Sequence, residues 1–373
     1  MFEQSPSTWR VARAYDGPDA LAAKRELLGA GTILLCLACY WLILFKLSGV
    51  GLSGYLLASS PFVRSAAVVA AVAAAAMALA ARFHPPLRHN WKTKAVWLLT
   101  ATLVVGQTFA SYAMFKQVLL PQRGFLWDQT FAHIGRTLFG GTSPWVITHA
   151  VFGSVGGSRF LNALYSAWLA IIFIYPLFAG ACVNDRRLRF QMIASWLGAW
   201  IFIGTIAAWY FASAGPVFYN ALIGPDPDYH SLQMRLSAIE AHAASEGNPI
   251  QTLQFQPMLL ELYHRRVFDS VGGISAMPSM HVALATLLAL TGFAKGRLLG
   301  FVLSGYAFLI WVGSVHFGWH YFVDGPVAAV LMAVVWKATG LAYRGLEEFR
   351  LPALRLGQAW DMGRDPCTPD VHS

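Results

Sequence analysis

Ser275-Ala-Met-Pro-Ser-Met-His281 opens an apolar run that lasts to Ala294, and Ser314-Val-His-Phe-Gly-Trp-His-Tyr-Phe-Val-Asp324 follows a second run that starts at Leu298. Only Lys295-Gly-Arg297 separates the two runs. Apolar runs of this kind, bounded by a short basic turn, predict two helices crossing a bilayer as a hairpin. The hairpin brings the two polar segments to the same end.

The rest of the chain repeats that pattern. Its 373 residues are 57% hydrophobic and only 12% charged; a soluble domain carries about 25% charged residues. Further runs lie at about 30–48, 64–82, 95–115, 161–183 and 192–213, and a last one runs from near Asp324 to near Gly340. The fold class expected is an all-α integral membrane protein of about eight transmembrane helices. The alanine-rich run at 64–82 suits close helix packing in lipid. The net charge of +9 does not mark a nucleic-acid binder, because the basic residues sit in short clusters between apolar runs. Cys36, Cys39 and Cys182 lie within apolar runs and Cys367 lies in the polar tail. No disulfide framework or metal spacing emerges, so no metal and no other cofactor is expected. Residues 1–29 are polar and too long for a signal-peptide n-region, so the first run reads as a retained helix.

The connections fix the sidedness. Arg82-Phe-His-Pro-Pro-Leu-Arg-His-Asn-Trp-Lys-Thr-Lys94, Asn184-Asp-Arg-Arg-Leu-Arg189 and Lys295-Gly-Arg297 are basic and fall on alternate turns. Positive charge marks the cytoplasmic side, which places these loops and both termini inside and His281, His316, His320 and Asp324 outside. The expected organisation is a cytoplasmic tail over 1–29, two additional helices over 30–94, a catalytic core over 95–340, and a cytoplasmic tail over 341–373. Within the core, 116–160 mixes aromatic and polar residues and predicts helices lying at the membrane surface, where Asp128 with His133 or Arg136 either binds substrate or, the favoured reading, forms a local ion pair that ties these helices together. Residues 214–277 form a long outer connection whose middle, Gln233 to Glu246, is polar or small and helix-prone, and whose end, Leu253 to Phe268, is amphipathic and carries His264-Arg-Arg266. Lys46 and Lys116 stand at span ends, where snorkelling accounts for them.

Pro278 followed by Ser279 makes a helix start, with Ser279 as N-cap. Its free amides, including that of Met280, and the positive end of the dipole attract an anion. His281 falls in the first turn, placed to donate to a phosphate oxygen or protonate a leaving alkoxide. The same residues also suit a plainly capped span with an interfacial histidine. His320 and Asp324 are four apart, so on a helical turn they share a face. A carboxylate on one imidazole nitrogen leaves the other free to attack phosphorus; Asp324 equally suits a helix start before Gly325-Pro326. His316, one turn further back, is a candidate phosphate contact or a structural histidine. Two histidines, a carboxylate and a helix start suit phosphoryl transfer through a covalent phosphohistidine.

Pro-Ser-x-His followed one hairpin later by His-x-x-x-Asp resembles the type 2 phosphatidic acid phosphatase superfamily. Pro278-Ser-Met-His-Val-Ala283 and His320-Tyr-Phe-Val-Asp324 are most similar to its inositol phosphorylceramide synthase branch and bacterial relatives. The resemblance covers the second half of the chain. It implies that the last six helices form a phosphatase-like bundle. It also implies His320 as nucleophile, Asp324 as its orienting carboxylate, His281 as general acid and base, and Ser279 with its neighbouring amides as the phosphate cradle.

Two features depart from the phosphatase members. Their Lys–six residues–Arg-Pro string is absent, and their Ser-Arg pair before the nucleophile is replaced by Gly313-Ser314. A phosphodiester carries one negative charge where a phosphomonoester carries up to two, so it needs less cationic complement. This favours headgroup transfer from a phospholipid donor to a lipid or sugar alcohol over hydrolysis. Arg265 or Arg266 is a candidate for the missing cation, and equally a basic rim against anionic headgroups. The alternative enzyme uses water and is a lipid phosphate phosphatase. A transporter, scramblase or scaffold ranks lower, because no internal repeat with broken spans is found. The partners expected are the donor and acceptor lipids in the cytoplasmic membrane, with the site facing the periplasm.

Overall fold

A computed structural model describes residues 18–83, 91–266, 268–269 and 272–348. The expectations for the first 17 residues, most of the basic loop at 84–90 and the tail from 349, Cys367 included, lie outside the described residues. All regular structure among the described residues is helical. The helices are α1 (Pro18–Ser48), α2 (Leu52–Phe83), α3 (Trp91–Arg123), α4 (Asp128–Leu138), α5 (Pro144–Phe152), α6 (Val155–Cys182), α7 (Arg186–Tyr210), α8 (Pro227–Ser245), α9 (Gln251–Arg265), α10 (Met280–Lys295), α11 (Arg297–His316) and α12 (Asp324–Glu348). Seven of them are long and apolar enough to cross a membrane, and α10 is a shorter apolar helix beside them. The chain is therefore a multi-pass membrane protein.

The helix bounds differ from the sequence reading at several points: α1 already begins at Pro18 and α12 runs on to Glu348, inside the expected tails. The second helix begins at Leu52, not near 64, and its apolar window is Leu52–Ala75. Its polar start is satisfied helix to helix: Tyr55 is buried and its hydroxyl accepts from Gln107 of α3. Close approach comes from small residues, as a Cβ on Gly106 would meet the Val63 backbone at 3.2 Å. The surface stretch expected over 116–160 is also narrower. α3 runs on to Arg123 through a wide π-turn at Phe115–Leu119, and α6 already starts at Val155, so only α4 and α5 are separate short helices.

One end of the bundle is tied by a buried charge cluster. Glu26 of α1 accepts from Trp97 Nε1 of α3 at 2.7 Å and from Arg189 of α7 at 2.6 Å, while Arg186 lies 3.0 Å from its other oxygen. Gln191 donates to the Trp336 carbonyl of α12 at 2.8 Å. A cluster this well partnered fixes which helix ends meet. It puts the 184–189 turn, the start of α3 and the end of α12 at one end, as the alternation of basic loops requires.

The opposite end carries a fixed roof. Among the described residues of the outer connection, the helix-prone middle lies in α8 and the amphipathic end in α9, with two short turns before them. Leu232, Leu236, Ile239 and Ala243 of α8 are buried together with Ile250 and Leu253, against Phe317 and Tyr321. Gln256 donates to the Phe317 carbonyl at 2.7 Å, and Val217 N donates to the Gly318 carbonyl at 2.9 Å. Arg159 at the head of α6 binds the Ala243 and Asn248 carbonyls and Glu246. The stretch Ser237 to Asn248, mostly polar or small, supplies Ile239, Ala243 and the Arg159 acceptors, so it is structural.

Candidate active site

The Ser275–Ser279 segment is held in place before its helix begins. Ala276 N donates to Ser213 O at 2.9 Å and Met277 N to Ser213 Oγ at 3.0 Å. Ser279 is fully buried, and its hydroxyl accepts from Val282 N, the N-cap bond expected for this residue type. The amides of Met280 and His281 remain as first-turn donors. The Met280 side chain is turned into the bundle, where a Cβ on Gly204 would come within 3.0 Å of its sulfur. Any role it has toward an anion rests on its backbone N–H.

The second segment is a tight turn between α11 and α12. Trp319 N and His320 N both donate to Ser314 O, at 3.0 and 3.2 Å. Gly318 sits at φ +69°, and a Cβ there would come within 2.9 Å of Leu232, so turn and roof close on each other only with glycine. His320 Nδ1 lies 2.7 Å from the Ala276 carbonyl and 3.4 Å from Asp324 Oδ2. A carbonyl only accepts, so Nδ1 carries the proton and Nε2 keeps its lone pair. Asp324 does not reach His320 across a helical face. It is the first residue of α12, and its Oδ2 turns back over the bend to accept from Tyr321 N at 3.0 Å. Its other oxygen is buried without a partner. A half-satisfied buried carboxylate favours a cation beside it, which describes His320 once phosphorylated or protonated.

His281 stands with its ring centroid 5.9 Å from that of His320. Lys116 lies on the π-turn of α3, beside the segment that leads into the Ser279 helix start. The loop before the helix start packs directly on it: a Cβ on Gly273 would come within 2.7 Å of Lys116 Cβ. Gln117 clasps the same loop, donating to Asp269 O at 2.6 Å and accepting from Asp269 N at 2.8 Å. Sequence reading assigns Lys116 to snorkelling. One signal was there: Lys116 and Arg123 keep the Lys–six residues–Arg spacing, with Gly124 in place of proline. Arg123 itself is exposed.

Three candidates are not brought to this centre. The His316 ring binds Ser158 Oγ at 3.0 Å and stacks on His149 at 4.1 Å, and its carbonyl accepts from His149 Nε2 at 2.8 Å. It is a buried anchor of the turn on α5 and α6, because α11 ends at His316 and the chain changes direction before His320. Arg265 pairs with Glu261 on its own helix surface, and Arg266 is the exposed left-handed end of α9. Asp128 is also reassigned. Arg136 pairs with Asp226 and Asp228 at the start of α8, not with Asp128. Asp128 is buried and accepts from Ala214 N, Gly215 N and the Tyr321 hydroxyl, latching α4 to the turn beside His320. Burial pushes its carboxyl up to about 6 against the pull of those three donors.

Residues 129–338 match the family model of the PAP2 superfamily. The chain belongs to the PAP2 superfamily. It is thereby a lipid enzyme of the phosphatase or phosphotransferase type. No curated protein and no solved structure matches it. The matched region begins within α4, so α1 to α3, including Lys116, lie before it.

Proposed function

We propose that this PAP2 superfamily protein is a phosphotransferase that moves the phosphoryl headgroup of a phospholipid to a lipid or sugar alcohol. His320 Nε2 attacks phosphorus and the bond to the leaving alkoxide breaks. His281 gives that alkoxide its proton and then takes one from the incoming alcohol, whose oxygen displaces His320. Ser279 caps the helix whose first amides, Met280 N among them, hold the phosphoryl oxygens. Asp324 steadies the His320 imidazolium. The mechanism calls on no metal. The reading sets the chain beside the inositol phosphorylceramide synthase branch, in the cytoplasmic membrane, with both termini inside and the site facing the periplasm.

The observation that carries transfer over monoester hydrolysis is Ser314. It stands where phosphatase members place arginine, is fully buried, and spends its hydroxyl on the Ile310 and Trp311 carbonyls of its own helix. It offers no charge to a substrate. Lys116 then supplies a single cation, which matches the single charge of a diester. The docked roof of α8 and α9 supports the same reading by limiting water at the centre.

Product partitioning tests it. Purified protein in lipid nanodiscs receives a fixed labelled phospholipid and rising concentrations of diacylglycerol, ceramide, inositol or sugar alcohols. Transfer predicts a new phosphodiester whose share rises with one class of acceptor. Efficient release of inorganic phosphate from a lipid phosphomonoester, with no transfer to any alcohol, overturns it in favour of the phosphatase.

A further inference from the structure

His281 lies between two aromatic side chains that neither the sequence motifs nor the mechanism above uses. The Tyr165 ring is 4.2 Å from the imidazole at 21° to its plane, and the Trp168 ring is 4.0 Å away at 31°. Tyr165 is stacked and Trp168 tilted; two ring centroids this close to one imidazole leave no room for both on a single face, so they occupy opposite faces. Both come from α6, three residues apart, the spacing that puts side chains on one helix face.

Each ring has a second contact that fixes it. Trp168 Nε1 donates to the His281 carbonyl at 3.0 Å, so the indole holds the backbone of the residue it stacks on. Tyr165 lies edge-to-face with Phe317 at 6.1 Å, and a Cβ on Gly313 would meet its ring at 3.4 Å. Tyr165 therefore touches both motif-bearing segments. With both faces covered, His281 exchanges protons only through its edge.

A proton donor here has opposing demands. Burial opposes a positive imidazolium, and so do the titratable groups placed around it, His320 from the turn with its ring 5.9 Å away and Lys116 from α3. Asp324 stands behind His320 and pairs with it instead. Aromatic faces attract a cation through their negative quadrupole, and more strongly away from water. We propose that Tyr165 and Trp168 are positioning residues that clamp His281 and keep its imidazolium available as the proton donor to the leaving alkoxide. This rests on the role given to His281 under Proposed function.

The test uses the full chain in nanodiscs. Replacing Trp168→Leu or Tyr165→Leu removes one face, whereas Trp168→Phe and Tyr165→Phe keep an aromatic face. Fluorinated tryptophans placed at 168 weaken the π-face without changing its shape, which covers the case of an unstable leucine variant. Titration of the His281 imidazole by carbon NMR, assigned by the signal missing in His281→Gln, needs no turnover. Each leucine variant should shift the His281 midpoint, and the basic limb of the kcat profile, to lower pH by about one unit. Phenylalanine should restore both, and fluorination should shift them stepwise. A purely structural role predicts lower kcat at every pH with no shift, and unmoved midpoints throughout the series overturn the clamp. A shifted midpoint in a protein that never turns over a phospholipid would sustain the clamp and refute the catalytic reading.

Discussion

The His320 Nδ1 proton is held by the carbonyl oxygen of Ala276 at 2.7 Å, closer than the Asp324 carboxylate at 3.4 Å. The tautomer that exposes Nε2 is thus set by the backbone of the Pro278 segment. One motif orients the histidine of the other, and the proposed part of Asp324 is reduced to its charge.

Asp324→Asn should then leave the tautomer intact and cost turnover through lost stabilisation of the imidazolium. A loss of about 100- to 1,000-fold in kcat is expected, the range for removing one electrostatic partner. Tautomer loss in a Ser-His-Asp triad costs about 10,000-fold. Steady-state kinetics with the purified variant separate the two. A loss at or beyond the larger figure would return tautomer control to Asp324.

Lys116→Met should weaken donor binding, lowering kcat/KM by roughly 30- to 100-fold, or about 2–3 kcal/mol for a charge-assisted contact. Most of the change should fall in KM. Arg265→Ala and Arg266→Ala should change KM by less than about twofold, since exposed basic residues on a helix surface contribute little. Kinetics of the three variants on one phospholipid donor decide between them.

Asp128→Ala should leave the Ala214 and Gly215 amides and the Tyr321 hydroxyl without their acceptor, at a cost of about 3 kcal/mol. Asp128→Asn should cost less, because Oδ1 accepts from all three donors. The pH dependence has a definite sign. The folded carboxyl sits at about 6, above the ordinary value of 3.8. Its contribution is therefore complete below the unfolded value and lost as pH rises through about 6. The wild-type advantage in Tm over Asp128→Asn should be larger at pH 5 than at pH 7.5.

The motif residues were legible because each pair is local: Ser279 caps its own helix, and Asp324 is four residues from His320. What failed was inference across a change of chain direction. His316 shares a helical spacing with His320, but the helix stops between them, and the ring goes to Ser158. Lys116 lies far from His281 in sequence, on a π-turn that no hydrophobic period reveals. The helical character of the roof was legible, but its docking was not, because the buried positions Leu232, Leu236, Ile239 and Ala243 are spaced along a helix rich in polar residues. Asp128 reads as an ion-pair member because charge suggests charge; its partners are backbone amides, which sequence does not mark.

The sidedness can be tested in a cysteine-free background. Ala244 and Asn184 are exposed at opposite ends of the bundle. Ala244→Cys should react with an impermeant maleimide in intact cells, and Asn184→Cys only after permeabilisation. Gly318 is unsuitable as a reporter, because it is buried at positive φ. The reverse labelling pattern would move the site to the cytoplasmic face.

A covalent phosphohistidine at His320, as proposed, can be trapped by rapid acid-free quenching of the protein with a headgroup-phosphorus-labelled phospholipid. The expected label is stable to base, labile to acid, discharged by added alcohol acceptor, mapped to His320 and absent in His320→Ala. Undiminished turnover by purified His320→Ala, or turnover with inversion of configuration at phosphorus, would contradict it.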